Sequence, residues 1–192
     1  MKTKLLRVDG FTEAFLGLGL SYGKTADVMP DDSTEIWNRM FPVAARLAPL
    51  DGGHNKFLES INVWLDITAP LYWWKQFDTY RVGVTKQSES TMHTLGKRKL
   101  TSEDFTSHID GHILDLLNLM VDRGDWKDLN DNLPQGFKQR RIVATNYKVI
   151  RHMVAQRKGH KLREWELFIK EMRDLLPFSN EFIFSRRTKN DG

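Results

Sequence analysis

Between Ser60 and Thr68, the apolar residues Ile61, Val63, Leu65 and Ile67 alternate with Asn62, Trp64, Asp66 and Thr68. A two-residue period sends successive side chains to opposite faces, so this segment is predicted to be a strand with one buried face. Pro70 follows, suited to the first turn of a helix, where a missing N–H costs nothing, and LYWWKQF supplies the helix body. Upstream, Asp31-Asp32-Ser33-Thr34-Glu35 offers cap residues for a helix carrying Ile36, Trp37, Met40 and Phe41, which Pro42 is expected to kink or interrupt. Downstream, Thr101 and Asp104 cap a predicted helix to Arg123, with Phe105, Ile109, Ile113, Leu116, Leu117 and Met120 on one stripe and Gly124 as its stop. Leu133-Pro134-Gln135-Gly136 reads as a turn and Arg140–Thr145 as a short strand. Tyr147–Arg157 is predicted helical, as is a last segment carrying Leu162, Trp165, Phe168, Ile169, Met172, Leu175 and Leu176, ended by Pro177. Residues up to about Lys24 receive no assignment. The pattern is that of an α+β protein, one mixed domain spanning 1–192 with helices around a small sheet, and neither a repeat nor a linker divides it.

The chain has 192 residues, 40% hydrophobic and 28% charged, enough to bury a sizeable core. It contains no cysteine, which excludes a disulfide scaffold, thiolate metal sites and thiol nucleophiles, and fits an expected cytoplasmic setting. MKTKLLRVDG reaches Asp9 before any long apolar run, so no signal peptide is expected, and no membrane span either. A net charge of +4 is too mild to name a partner by itself. The positive charge gathers in Lys97-Arg98-Lys99, in Arg140-Arg141, along Arg151 to Arg163, and in Arg186-Arg187. A basic nucleic-acid-binding module would use the last two groups, and that reading ranks third.

There is no P-loop, no Rossmann glycine fingerprint and no HExxH. Gly17-Leu18-Gly19 is a fragment of a glycine-rich loop, better read as a close backbone approach. His108 and His112, four apart with Asp115 nearby, have metal-like spacing on a helix face but no third ligand, and no metal site is assigned. The strongest local signal runs from Ala69 to Thr91, where an apolar helix start gives way to Arg81 and then to a segment dense in Thr, Lys, Gln, Ser and Glu. Hydroxyls and amides beside a cation suit a nucleotide's phosphate and base. A solvated surface loop has the same composition, and the residues alone leave both readings open.

The order of residues resembles the flavin-dependent thymidylate synthases. In that family a histidine precedes a strand, Ala-Pro opens a helix, Arg/Lys-Gln-aromatic follows, and Arg-His-Arg leads to a loop ending Ser-x-Arg. Here His54 and Glu59 precede the strand, Ala69-Pro70 opens the helix, Lys75-Gln76-Phe77 follows, and Arg81 matches the last arginine of Arg-His-Arg. Leu133-Pro134, Asn146, Arg157 and Trp165-Glu166 continue in the family's order, and Gly19-Leu20-Ser21-Tyr22 is similar to its stretch ending Ser-aromatic. The resemblance covers about 17–166, leaving 185–192 as a tail. Three anchors depart from the pattern: Thr79-Tyr80-Arg81 stands for Arg-His-Arg, Glu89-Ser90-Thr91 for Ser-x-Arg, and Asn130 for an arginine before Leu-Pro. Ser88 or Ser90 supplies the serine after a small shift, and Lys86, Arg140 or Arg141 are candidate replacement cations.

The resemblance implies reductive methylation of a pyrimidine deoxynucleotide, of the dUMP to dTMP type, with FAD as cofactor. NADPH and methylenetetrahydrofolate are the implied co-substrates. It implies Arg157 as the catalytic residue on the pyrimidine, with Gln76, Gln87, Ser88, Glu89 and Ser90 around the nucleotide. Ser21, His54, Thr79, Tyr80, Arg81, Asn146 and His152 are the implied flavin contacts, and Arg81, Arg157, His54 and Ser88 carry the most weight. Each has a plainer role beside it: Gln76 as a helix cap, Asn146 as an N-cap, His54 as a loop histidine beside Gly52-Gly53, Arg157 as a solvated helix end. The family builds its sites across a homotetramer, so an oligomer is implied, with Trp64, Trp73 and Trp74 expected partly at interfaces. The replaced arginines support a second reading, a divergent homologue that binds or modifies another nucleotide.

Overall fold

The computed structural model describes residues 1–50 and 53–186; Gly52 and Arg187 lie outside the described residues. Four strands, β1 (Lys2–Asp9), β2 (Asn62–Pro70), β3 (Thr85–Ser88) and β4 (Lys138–Asn146), form one sheet in the order β1-β2-β4-β3. Helices make up most of the remaining regular structure, so the fold is α+β with a small sheet. The chain divides into two compact units, and all four strands contribute residues to both. One comprises residues 1–3, 66–81 and 86–143; the other comprises 4–65, 82–85 and the chain from 144 onward.

In the first unit, β2 runs directly into α3 (Leu71–Phe77), with Pro70 as its N-cap rather than in its first turn. The Leu71 N–H donates to the Phe137 carbonyl at 3.0 Å, so the helix start is tied to the segment leading into β4. Trp73 and Trp74 are wholly buried. That corrects their expected place at an interface: LYWWKQF turns a full aromatic face inward, and the Trp74 indole N–H is satisfied by the Gln139 carbonyl at 2.9 Å. The predicted helix from Thr101 to Arg123 is also corrected. Asp104 accepts from the Thr101 N–H at 2.8 Å and closes a short 3-10 turn over Ser102–Asp104. Phe105 then bridges to Phe137, and only at Asp110, which accepts from the His112 N–H at 2.9 Å, does α5 (Gly111–Arg123) begin. His108 therefore precedes the helix, so His108 and His112 do not share a helical face. Phe105, Ile109 and Leu117 bury in a core with Leu95, Leu100 and Leu129, whereas Ile113 and Leu116 face outward. Two short helices, α4 (Thr91–Thr94) and α6 (Trp126–Asp131), complete the unit.

The second unit is built on α1 (Phe11–Ser21), α2 (Ser33–Leu47), α7 (Tyr147–Arg157), α8 (Arg163–Leu175) and α9 (Ser179–Phe182). Its core is aromatic: Phe15 packs edge-on to Trp37 at 4.8 Å, and Phe11 edge-on to Tyr147 at 5.4 Å. Asp32 caps α2 by accepting from the Glu35 N–H at 3.0 Å. Of the two outcomes expected of Pro42, a kink or an interruption, the interruption does not occur: α2 runs through it. Pro42 and Asn38 are exposed, so the carbonyl that loses its partner lies on the solvent side of the helix. Gly19 sits at a close approach inside α1, where a Cβ would come within 2.3 Å of the Thr25 side chain. Among the described residues no helix is long and apolar enough to cross a membrane.

Candidate functional site

The polar stretch after α3 is organised by secondary structure rather than left as a loop. Thr85–Ser88 is the edge strand β3, and an edge strand with one solvated face has no need of apolar residues. The Glu89 N–H donates to the Arg140 carbonyl at 2.9 Å, and Gln139 returns a hydrogen bond from its amide to the Glu89 carbonyl at 2.9 Å. Ser90 caps α4, its hydroxyl accepting from the His93 N–H at 3.3 Å. Gln87, Ser88 and Glu89 remain exposed, and Gln76 and Ser90 are half-buried. Thr79 is exposed and donates to the Gln76 carbonyl at 2.8 Å, while Tyr80 is buried against Phe77, so the residue at the imidazole position is a core aromatic. Arg81 is exposed, and its side chain has no hydrogen-bond or ion-pair partner among the described residues.

The candidate replacement cations hold internal partners. Arg141 is 13% exposed and bonds both oxygens of Asp78, at 3.0 and 3.1 Å, with its guanidinium 4.4 Å from the Trp74 ring centroid. Lys86 reaches the same carboxylate at 2.9 Å. Burial of Asp78 favours its neutral acid, but the Lys86 hydrogen bond and the Arg141 charge outweigh this and hold the carboxyl below its usual range. Arg140 grips the buried Asp66 through two bonds, at 2.8 and 2.7 Å. Beside Glu89 lies a cleft of about 250 Å³ in which Arg98, Lys138 and Arg140 face Glu89, Glu103 and Asp104. Arg98 and Asp104 are themselves paired. Three cations against three carboxylates make this cleft charge-balanced, a poor recipient for a dianion.

In the second unit, Asn146 is an N-cap, accepting from the Val149 N–H at 3.0 Å, and it also lines a cleft of about 300 Å³. Asp9, Asn62, Trp64, Gly83, Thr85, Ala144 and Thr145 complete that lining. Gly83 has φ 68°, and a Cβ there would stand 2.9 Å from Val149 Cγ2 and 3.1 Å from the Asn146 amide nitrogen, so glycine keeps the cleft open at this point. Trp64 is 41% exposed on a largely polar wall. A flavin needs a flat slot with hydrogen-bonding edges for its ring and N–H or cationic groups for its pyrophosphate. This cleft presents the exposed indole of Trp64 and the polar side chains of Asn146, Asn62, Thr85 and Asp9, and no cation lines it among the described residues. Those groups could stack on and hydrogen-bond a ring but offer nothing for a pyrophosphate.

The other expected residues of this unit are separately placed. Ser21 ends α1 and is exposed, and His54 is exposed in the turn before the 3-10 segment Lys56–Glu59. His152 lies on the exposed side of α7. Arg157, in the last turn of α7, is half-buried with its guanidinium 4.7 Å from the centroid of the buried Trp165 ring, so it is a packed cation rather than a solvated helix end. Trp64, Asn62, Gly83 and Asp9 were not singled out as site residues from the sequence. The available signal was Trp64 itself, an indole among the polar positions of an alternating strand.

No protein-family model matches the sequence, and a search of curated proteins finds no match. The fold is nevertheless shared with solved structures. Two crystal structures of the flavin-dependent thymidylate synthase of Helicobacter pylori, each with FAD and dUMP, superpose with a TM-score of 0.77 at 13% identity, covering 96% of this chain and 98% and 97% of theirs. The UMP/dUMP methylase PolB of Streptomyces cacaoi, bound with 5-Br dUMP, matches with a TM-score of 0.68 at 12% identity over 96% of this chain and 95% of its own. The chain has the flavin-dependent thymidylate synthase fold.

Proposed function

We propose that the protein is a flavin-dependent enzyme that methylates a pyrimidine nucleotide at C5, using methylenetetrahydrofolate as carbon donor and NADPH as reductant. The observation that carries this reading is the end-to-end fold match to proteins solved with FAD and dUMP or with a dUMP analogue, joined to the ordered anchors from Ser21 to Trp165. FAD, when bound, supplies the redox chemistry, and the chain supplies position and charge. Asn146 and Trp64 would hold the flavin ring, the first by its amide and the second by its exposed face. Arg157, held against Trp165, presents a fixed cation that would polarise a pyrimidine carbonyl and so ease electron flow at C5. Arg81, like Lys75 in the same stretch, has no internal partner among the described residues, and it would take the phosphate with Ser88 or Ser90. As the resemblance implies, the assembly would be a cytoplasmic homotetramer.

The test is the visible spectrum of the purified protein with FAD, before and after dUMP, followed by release of the C5 hydrogen from dUMP on adding the folate and NADPH. Flavin bands perturbed by dUMP and C5-hydrogen release support the reading. A protein that takes up no flavin overturns it.

A second reading, a divergent homologue acting on another nucleotide, is favoured by the cation pairing. Lys86 and Arg141 are committed to Asp78 and Arg140 to Asp66, so the positions that replace family arginines are not made good by free neighbours. Under this reading, flavin binds but the perturbation appears with other pyrimidine nucleotides and not with dUMP. Arg151 speaks against the nucleic-acid reading, since its guanidinium is turned inward onto backbone carbonyls.

A further inference from the structure

A cavity of about 350 Å³ lies within the second unit between α7, α8 and the segment after α9, and it includes none of the residues assigned above to nucleotide or flavin. Its floor is apolar, formed by Val154, Ile169, Ile183 and Phe184. Four cations, Arg151, Lys158, Arg173 and Arg186, line it, and among the described residues no carboxylate does. The charge-balanced cleft of the first unit shows that this chain can offset cations where it holds them, so the unbalanced lining here is a distinguishing feature.

The walls are held from behind. Arg151 donates from Nη1 to the carbonyls of Phe182 at 3.2 Å and Ile183 at 3.0 Å, and from Nη2 to the Ser185 carbonyl at 2.8 Å. Arg173 lies 3.9 Å from the centroid of the Phe184 ring and bonds Asn180 at 2.9 Å. These two arginines fix the segment that forms one wall while keeping their charge at the cavity. Lys158, the extended residue that follows the last turn of α7, adds a cation at the edge.

We propose that this cavity is a second ligand site for a small organic anion, an apolar body of about one or two rings bearing a carboxylate, sulfonate or phosphate. An apolar floor without a counter-charge at its edge would suit a neutral ligand, and a cation cluster without a floor would suit bare phosphate; the combination suits an amphipathic anion. The inference does not depend on the flavin or nucleotide assignment.

The experiment titrates the purified full chain with 8-anilinonaphthalene-1-sulfonate by fluorescence, with inorganic phosphate and neutral N-phenyl-1-naphthylamine as comparison probes. The expected result is saturable binding of one sulfonate per chain that weakens with salt. Lys158→Ala and Arg186→Ala should raise its Kd about threefold each and about tenfold together, as exposed charges do. Ala155→Phe, at an exposed lining position, should abolish binding by filling the cavity while leaving the circular dichroism unchanged. Binding indifferent to all three substitutions overturns the proposal. Phosphate competing as strongly as the sulfonate, or the neutral probe binding as tightly, also overturns it.

Discussion

Asp78→Asn tests whether the cations of the nucleotide stretch are structural. The carboxylate is 42% exposed, yet its partners Lys86 and Arg141 are 18% and 13% exposed, so the substitution strands two sequestered cations while keeping the shape of the side chain. Charge-assisted hydrogen bonds contribute about 1.5–3 kcal/mol each, and screening at a partly exposed carboxylate cuts the pair to about 2 kcal/mol in all. Urea unfolding near neutral pH should report that loss. The pH dependence separates charge from packing. Because the folded carboxyl ionises at lower pH than the unfolded one, its contribution is complete above the usual carboxylate range and is lost as pH falls through the lowered value. The gap between wild type and Asp78→Asn should therefore be full near pH 7 and narrow at about pH 3. An equal gap at both would refute the electrostatic account, and a gap below about 0.5 kcal/mol at neutrality would show that Arg141 and Lys86 are free for a ligand after all.

Gly83→Ala should cost about 1–2 kcal/mol by thermal unfolding, because it forces a side chain into the left-handed region and against Val149. It should also weaken flavin uptake, whereas an alanine at the unconstrained Gly17 position should not touch uptake. Asn146→Ser keeps a capping oxygen and Asn146→Ala does not, so only the alanine variant should lose about 1 kcal/mol of stability, while both should lose flavin affinity. Arg157→Lys should keep the charge but lose the planar stack on Trp165, and lower the rate of C5-hydrogen release far more than flavin binding. Tyr147→Phe removes a hydroxyl that donates to the Pro177 carbonyl at 2.7 Å and should cost about 1 kcal/mol in urea unfolding.

The parts of the fold that could be read from sequence are those whose hydrophobic period survives into the structure. Ile61, Val63, Leu65 and Ile67 are all fully buried, and α7 occupies the predicted span. β1 was illegible for a physical reason: Thr3 points inward and Leu6 is exposed, so the buried and solvated faces invert the usual pattern. β3 has no apolar residue and is specified by pairing with β4 alone. Asp66 reads as a surface position of an alternating strand, yet it is buried because Arg140, distant in sequence, neutralises it. Among the candidate site residues, order along the chain brought out Asn146 and Arg157. The cleft around Asn146 draws on Asp9, Asn62 and Gly83, whose convergence is a property of strand pairing and carries no local signature.

The two junctions where strand becomes helix have no connecting residue: β2 ends at Pro70 and α3 starts at Leu71, β4 ends at Asn146 and α7 starts at Tyr147. At each, the first helical N–H still bonds sideways to a strand-flanking carbonyl, Leu71 to Phe137 and Tyr147 to Ile61. A two-residue period thus passes into one of 3.6 with no slack between them. A single insertion or deletion in β2 or β4 would turn every later side chain to the wrong face and shift the following helix start, with no loop to absorb the error. Changes of chain length in descendants of this sequence should therefore be confined to segments such as 22–32 and 95–101, leaving the spacing from Asn62 to Phe77 and from Lys138 to Arg157 invariant.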